Sequence, residues 1–92
     1  MKDIIQELYE VIQGRKTSPV EGSYTNYLFD KGQNKICKKV GEEAVEVVLA
    51  AVSGKNEDTI EEIADLVYHV LVLMAQAEIT PEQVEEALRK RR

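Results

Sequence analysis

The stretch from residue 35 to residue 77 decides the fold: KICKKVGEEAVEVVLAAVS (35–53), GKNED (54–58), TIEEIADLVYHVLVLMAQA (59–77). In the first segment Ile36, Val40, Ala44, Val47, Val48 and Ala51 recur at helical spacing and mark one apolar face. In the last, Ile60, Ile63, Val67, Val70 and Met74 do the same, with Leu66 and Leu73 widening the face. Tyr68 and Val72 lie almost opposite it. A helix apolar on two sides is buried on two sides, so a second copy is expected to cover what the chain itself leaves bare. Asp58 with Glu61, or Thr59 with Glu62, offers a capping box for the second helix. The short link between the two segments makes them antiparallel neighbours.

Working outward, Ile4, Ile5, Leu8, Val11 and Ile12 form a helical face over residues 3–13, which Gly14 is expected to end. Residues 14–23, GRKTSPVEGS, read as a turn-rich loop. Ser23 can cap a short helix carrying Tyr24, Tyr27, Leu28 and Phe29, interrupted by Gly32 and Asn34. Thr80-Pro81-Glu82-Gln83 opens a last helix, with Thr80 as cap, Pro81 in the first turn and Gln83 completing the box. No strand pattern, internal repeat or low-complexity segment is present. The expectation is one all-α domain over residues 1–92. It is a helical bundle with two principal antiparallel helices, completed by homodimerisation.

Composition narrows the function. Twelve Lys and Arg stand against seventeen Asp and Glu, a net charge of −5, which does not favour nucleic acid. The basic run Arg89–Arg92 reads as a solvated helix end, where cations suit the macrodipole. The one cysteine, Cys37, excludes an intrachain disulfide and reads as a small core residue. No apolar run reaches the roughly 18 residues of a membrane span, and the N-terminal segment lacks a signal-peptide pattern. A soluble, cytoplasmic protein is expected.

The chemistry is carried by carboxylates. Glu43 and Glu46 lie three apart on the first principal helix, and Glu62 and Asp65 three apart on the second. Residues three apart are neighbours on a helix surface. Both pairs sit at the border of their apolar stripes, so antiparallel packing lets both face one cleft. Four converging carboxylates repel one another unless cations lie between them. Oxygen-only donors suit magnesium, or manganese in its place. Magnesium is commonly shared with substrate phosphates, so a pyrophosphate-bearing substrate is a natural partner. Isolated glutamates on helices are usually a solvated face, and Glu42, Glu57, Glu61, Glu82, Glu85 and Glu86 are read that way. A di-iron bundle would want Glu-x-x-His. The only histidine, His69, stands four residues after Asp65 and breaks that pattern. It suits a contact to substrate or carboxylate as well as a buried structural role.

Glu43-Ala44-Val45-Glu46 and Glu62-Ile63-Ala64-Asp65 match the E-x-x-E and E-x-x-D signature of the all-α nucleoside triphosphate pyrophosphohydrolases, which include the MazG proteins and dimeric dUTPases. Together with GSYTNYLFDKGQNKICKKVGEEAVEVVLAA and EEIADLVYHVLVLM, the chain resembles the phosphoribosyl-ATP pyrophosphohydrolases of histidine biosynthesis, from about residue 4 to residue 90. The resemblance implies hydrolysis of 1-(5-phospho-β-D-ribosyl)-ATP between its α and β phosphates. It also implies magnesium on Glu43, Glu46, Glu62 and Asp65, and a homodimer. Lys39, one turn before Glu43, is the expected phosphate contact, with Lys38, Lys35 and Lys31 behind it. Ser23, Tyr24 and Thr25 belong to the family's other recurring element, where a helix-start role is as good a reading as a functional one. Two competing readings remain at this stage: a house-cleaning pyrophosphohydrolase for non-standard NTPs or dUTP, and a non-catalytic helical dimer.

Overall fold

The computed structural model describes residues 3–92. Among them are five helices and no strand: α1 (Ile4–Thr17), α2 (Tyr24–Lys31), α3 (Gln33–Ser53), α4 (Asn56–Ala77) and α5 (Pro81–Arg89). The expected hairpin is the centre of the molecule, and α3 against α4 is its largest helix–helix interface. Only Gly54 and Lys55 separate the two helices. Gly54 takes the left-handed conformation (φ 79°) that reverses the chain, where a side chain would be strained.

The core lies at one end of this hairpin. Ile36 near the start of α3 and Leu71, Val72, Met74 and Ala75 near the end of α4 pack with Tyr9 and Ile12 of α1 and Leu28 of α2. Two polar bonds tie α1 across to the end of α4 and the turn after it, and a third, within α1, supports one of them. The Tyr9 hydroxyl donates to the Ile79 carbonyl (2.7 Å), Gln13 Nε2 donates to the Tyr9 oxygen (2.8 Å), and Lys16 Nζ donates to the Ala75 carbonyl (2.9 Å). The other end of the hairpin has no cover from α1, α2 or α5. Val45, Val48, Leu49, Val52, Ile60 and Ile63 are exposed there, Val52 by 80%.

Several local expectations are corrected. Gly14 does not end α1, which runs on to Thr17 because neighbours hold its last turn. Asn26 Nδ2 donates to the Arg15 carbonyl (2.7 Å), and Lys16 is anchored on α4. Gly32 alone, at φ 90°, separates α2 from α3, and Asn34 lies inside α3. Helix α4 starts at Asn56, so Asp58 and Thr59 fall within its first turn and neither caps it. The Thr59 hydroxyl donates back to the Lys55 carbonyl instead (3.0 Å). Glu57 and Asp58 still suit the positive end of the helix dipole. Cys37 is exposed and not core, because α3 turns its neighbour Ile36 inward. Val72 does not await a partner. It is fully buried within the chain, and the Tyr68 hydroxyl bonds the Thr25 hydroxyl of α2. The unpartnered apolar surface is the hairpin's bare end. Ser23 and Thr80 do cap α2 and α5, the latter with the full box to Gln83. Among the described residues no single helix is long and apolar enough to cross a membrane.

Candidate active site

Antiparallel packing puts the four carboxylates in register. Three residues forward on α3, from Glu43 to Glu46, answers three residues back on α4, from Asp65 to Glu62. Glu43 and Asp65 meet, with ligand-capable atoms of Glu43, Asp65 and His69 all within 4.8 Å of one another. Glu46 and Glu62 line a common cleft of about 300 Å³ with Leu49, Ala50, Asp58 and Glu61. Glu43 is 7% exposed, whereas Glu46 and Asp65 reach solvent. The floor of the site is therefore Glu43, and its rim is open.

The electrostatics fit two carboxylates pressed together. The Glu43 carboxyl is raised above the usual 4.5, first by its hydrogen bond with Asp65, then by burial, then by the Asp65 charge. Lys39 works against that rise, its ammonium lying 3.4 Å from Glu43 Oε1 and 3.6 Å from Glu42 Oε1. Burial alone would lower the Lys39 ammonium, but Tyr24, Glu43 and Glu42 more than offset it and leave it raised. Lys35 is half-buried and Lys38 exposed on the same helix.

His69 is buried, 3% exposed. Its Nδ1 lies 2.8 Å from the Asp65 carbonyl oxygen and 3.5 Å from Asp65 Oδ1. A carbonyl only accepts, so Nδ1 carries the proton. Nε2 then accepts the Tyr24 hydroxyl proton at 2.9 Å. Desolvation is the leading reason the Tyr24 phenol is held above 10.0, which keeps that proton on at neutral pH. Both imidazole nitrogens are thus committed. Although His69 stands close enough to ligate, its hydrogen bonds go to the Asp65 backbone carbonyl and to Tyr24, with the Asp65 carboxylate beside it. Sequence reading singled out His69 and Tyr24 separately but not the bond between them. They are 45 residues apart, beyond any local spacing rule.

A hard divalent cation fits the residues present. All the donors are carboxylate oxygens, matching a hard cation. Glu62 Oε2 is buried and has no hydrogen-bond partner, and a bare buried carboxylate oxygen is costly unless a cation satisfies it. The arrangement has what phosphate-anhydride chemistry needs: carboxylates to hold cations, a lysine beside them and an open rim.

Fold and site together define an all-α protein built on a two-helix carboxylate cleft, the architecture of the nucleotide pyrophosphohydrolases resembled by the sequence. Within that class, the chain belongs to the phosphoribosyl-ATP pyrophosphohydrolase family, whose profile matches residues 5–92. It is 56% identical over 88 residues to a phosphoribosyl-ATP pyrophosphatase of Listeria innocua, covering 96% of this chain and 84% of that one. It is 53% identical over 89 residues to one of Clostridium acetobutylicum, covering 97% and 81%. A histidine biosynthesis bifunctional protein of Caldanaerobacter subterraneus is 51% identical over 89 residues, which cover 97% of this chain and 43% of that larger protein.

Proposed function

We propose that the chain hydrolyses 1-(5-phospho-β-D-ribosyl)-ATP to the corresponding AMP derivative and pyrophosphate, the second step of histidine biosynthesis. Membership of the family supports the substrate. The observation that carries the chemistry is the register of Glu43 with Asp65 and of Glu46 with Glu62, with a Glu62 oxygen buried and unpartnered. Glu43, Glu46, Glu62 and Asp65 hold magnesium in this reading. When bound, magnesium neutralises phosphate charge and makes the attacking water easier to deprotonate. One carboxylate of the set takes that proton. Lys39 swings from Glu43 and Glu42 to a phosphate oxygen, with Lys38 and Lys35 further along the same helix. His69, fixed by Tyr24, holds Asp65 in place. The working form is a homodimer whose second copy covers the bare end of the hairpin, and a cytoplasmic location goes with the pathway.

The test is pyrophosphate release from phosphoribosyl-ATP, with magnesium and with excess chelator, beside ATP, dUTP and ITP. Magnesium-dependent release from phosphoribosyl-ATP alone is expected. Release from the other nucleotides instead would move the protein to a house-cleaning role, and no release from any would leave a non-catalytic dimer. Glu46→Gln and Asp65→Asn are each expected to abolish turnover with unchanged helical circular dichroism. Normal turnover in either sinks the metal assignment.

A further inference from the structure

Next to the carboxylates, where the α1–α2 loop enters α2, lies an open concavity of about 780 Å³ lined by Glu21, Tyr24, Asn26, Tyr27 and Asp30 among others. It joins the active site through Tyr24, whose ring lines the concavity while its hydroxyl reaches His69 at 2.9 Å. The Tyr24 and Tyr27 rings run nearly parallel, 21° apart with centroids at 6.0 Å, and are 44% and 43% exposed. Half-exposed, aligned rings are surfaces on which a planar ring can stack. The Asn26 amide is already committed: its oxygen accepts from Val20 N–H (2.8 Å) and its nitrogen donates to the Arg15 carbonyl (2.7 Å). It shapes the wall. The Glu21 and Asp30 carboxylates have no hydrogen-bond or ion-pair partner among the described residues. A cation already visits this wall, since Lys31 Nζ lies 5.7 Å from the Tyr27 ring centroid.

The proposed substrate supplies a matching group. The adenine of ATP is neutral near pH 7. A ribose attached at N1 blocks the neutral aromatic form, so the base persists as a protonated amidinium into neutral solution. Such a ring is both planar and cationic. Tyrosine faces and free carboxylates favour it, and the same carboxylates repel phosphates.

We propose, resting on the substrate reading above, that this concavity is the base subsite. It takes the positively charged N1-substituted adenine, with Tyr24 and Tyr27 stacking and Glu21 and Asp30 supplying counter-charge. The subsite thereby rejects unmodified purine nucleotides, and it aims the triphosphate away from itself, toward Lys39 and the metal carboxylates. Specificity and chemistry are then divided between two adjoining surfaces, with Tyr24 at the seam.

1-Methyladenosine, which carries the same charge without phosphates, is the probe, and adenosine is its control. Calorimetric titration of the full chain is expected to show 1-methyladenosine binding and adenosine binding at least several-fold more weakly. That preference should fade as pH rises through the loss of the 1-methyladenosine proton. Tyr27→Leu, and separately the pair Glu21→Gln with Asp30→Asn, should weaken binding of the probe and raise KM for phosphoribosyl-ATP by about 5- to 30-fold, the span from an exposed to a desolvated cation–π contact. The kcat and the magnesium half-saturation should stay unchanged. Equal binding of the two nucleosides overturns the subsite, as does a KM within twofold of wild type in both variants. Calorimetry needs no turnover, so the subsite is decided separately from the activity. Failure of the wild type to hydrolyse phosphoribosyl-ATP strikes the function, and wild-type turnover with indifferent variants strikes only the subsite.

Discussion

The Glu43 carboxyl couples folding to protons, and under the proposed function to metal as well. Its carboxyl is raised above 4.5 in the folded protein, chiefly through the hydrogen bond with Asp65. A raised folded value means that its stabilising contribution is present in acid and lost as pH rises through that value. Without metal, the melting temperature should therefore fall as pH climbs from 4.5 toward neutrality, relative to a Glu43→Gln variant that cannot titrate. Magnesium held by Glu43, as proposed, would compete with the proton, so its affinity should rise over the same window. Parallel wild-type and Glu43→Gln melting curves in chelator would contradict this account. His69 makes a second case. Its Nδ1 donates to the Asp65 backbone carbonyl, 3.5 Å from the Asp65 carboxylate, and its Nε2 receives Tyr24. On the proposed metal-holding role of Asp65, His69→Ala should weaken magnesium half-saturation by about 10-fold, the low end for losing a group behind a metal ligand, since His69 only adjoins the Asp65 carboxylate. Asn places an amide nitrogen where Nδ1 stood, so His69→Asn should recover part of that loss. A His69→Asn no better than Ala would reduce His69 to simple core packing. The facing of Glu43 with Asp65 and of Glu46 with Glu62 was legible because three-residue spacing is local. The Tyr24–His69 bond was not, because it joins α2 to α4 through side chains that only tertiary packing brings together.

Helix ends follow from what satisfies the first and last backbone groups, and there sequence and structure diverge most. Two threonines look alike in the sequence, each three residues before a Glu or Gln. Thr80 is the cap of α5: its Oγ1 accepts from Gln83 N–H, and Gln83 Oε1 accepts from Thr80 N–H at 2.9 Å. Thr59 lies inside α4 and donates to the Lys55 carbonyl. Thr80→Ala should cost about 1 kcal/mol, the typical loss on removing a cap. Thr59→Ala should be neutral or slightly stabilising, since alanine is the better residue inside a helix. Urea titrations of the two variants decide it, and an equal loss in both would mean that α4 begins at Thr59 after all. Pro81 gave α5 an unambiguous start. Nothing comparable marks α4, whose N-cap Lys55 makes no side-chain bond. The end of α1 was hidden for a different reason: Asn26 and Lys16, through contacts distant in sequence, carry the helix past Gly14.

At the scale of the molecule, the all-α hairpin was legible and the direction of its faces was only half so. Periodicity showed two apolar sides but could not say which the chain covers for itself. Packing assigns Val72 and Tyr68 to the chain's own α1 and α2 side and leaves Val45, Val48, Leu49, Val52, Ile60 and Ile63 bare. An exposed apolar surface of this kind is what the second copy of the proposed homodimer would cover. The chemistry would have a stake in that copy, because Leu49 borders the cleft that Glu46 and Glu62 line. Replacing both Val48 and Val52 with Glu leaves the chain's own core untouched, since both side chains are exposed, Val48 by 59%. In a dimer joined here, however, it buries charges without partners, which binding cannot absorb. The double variant should therefore sediment as a monomer with wild-type helical content. It should also lose activity at dilute concentration and regain part of it when concentrated. A wild type that itself sediments as a monomer, or a double variant that stays dimeric, would place the subunit contact elsewhere or remove it.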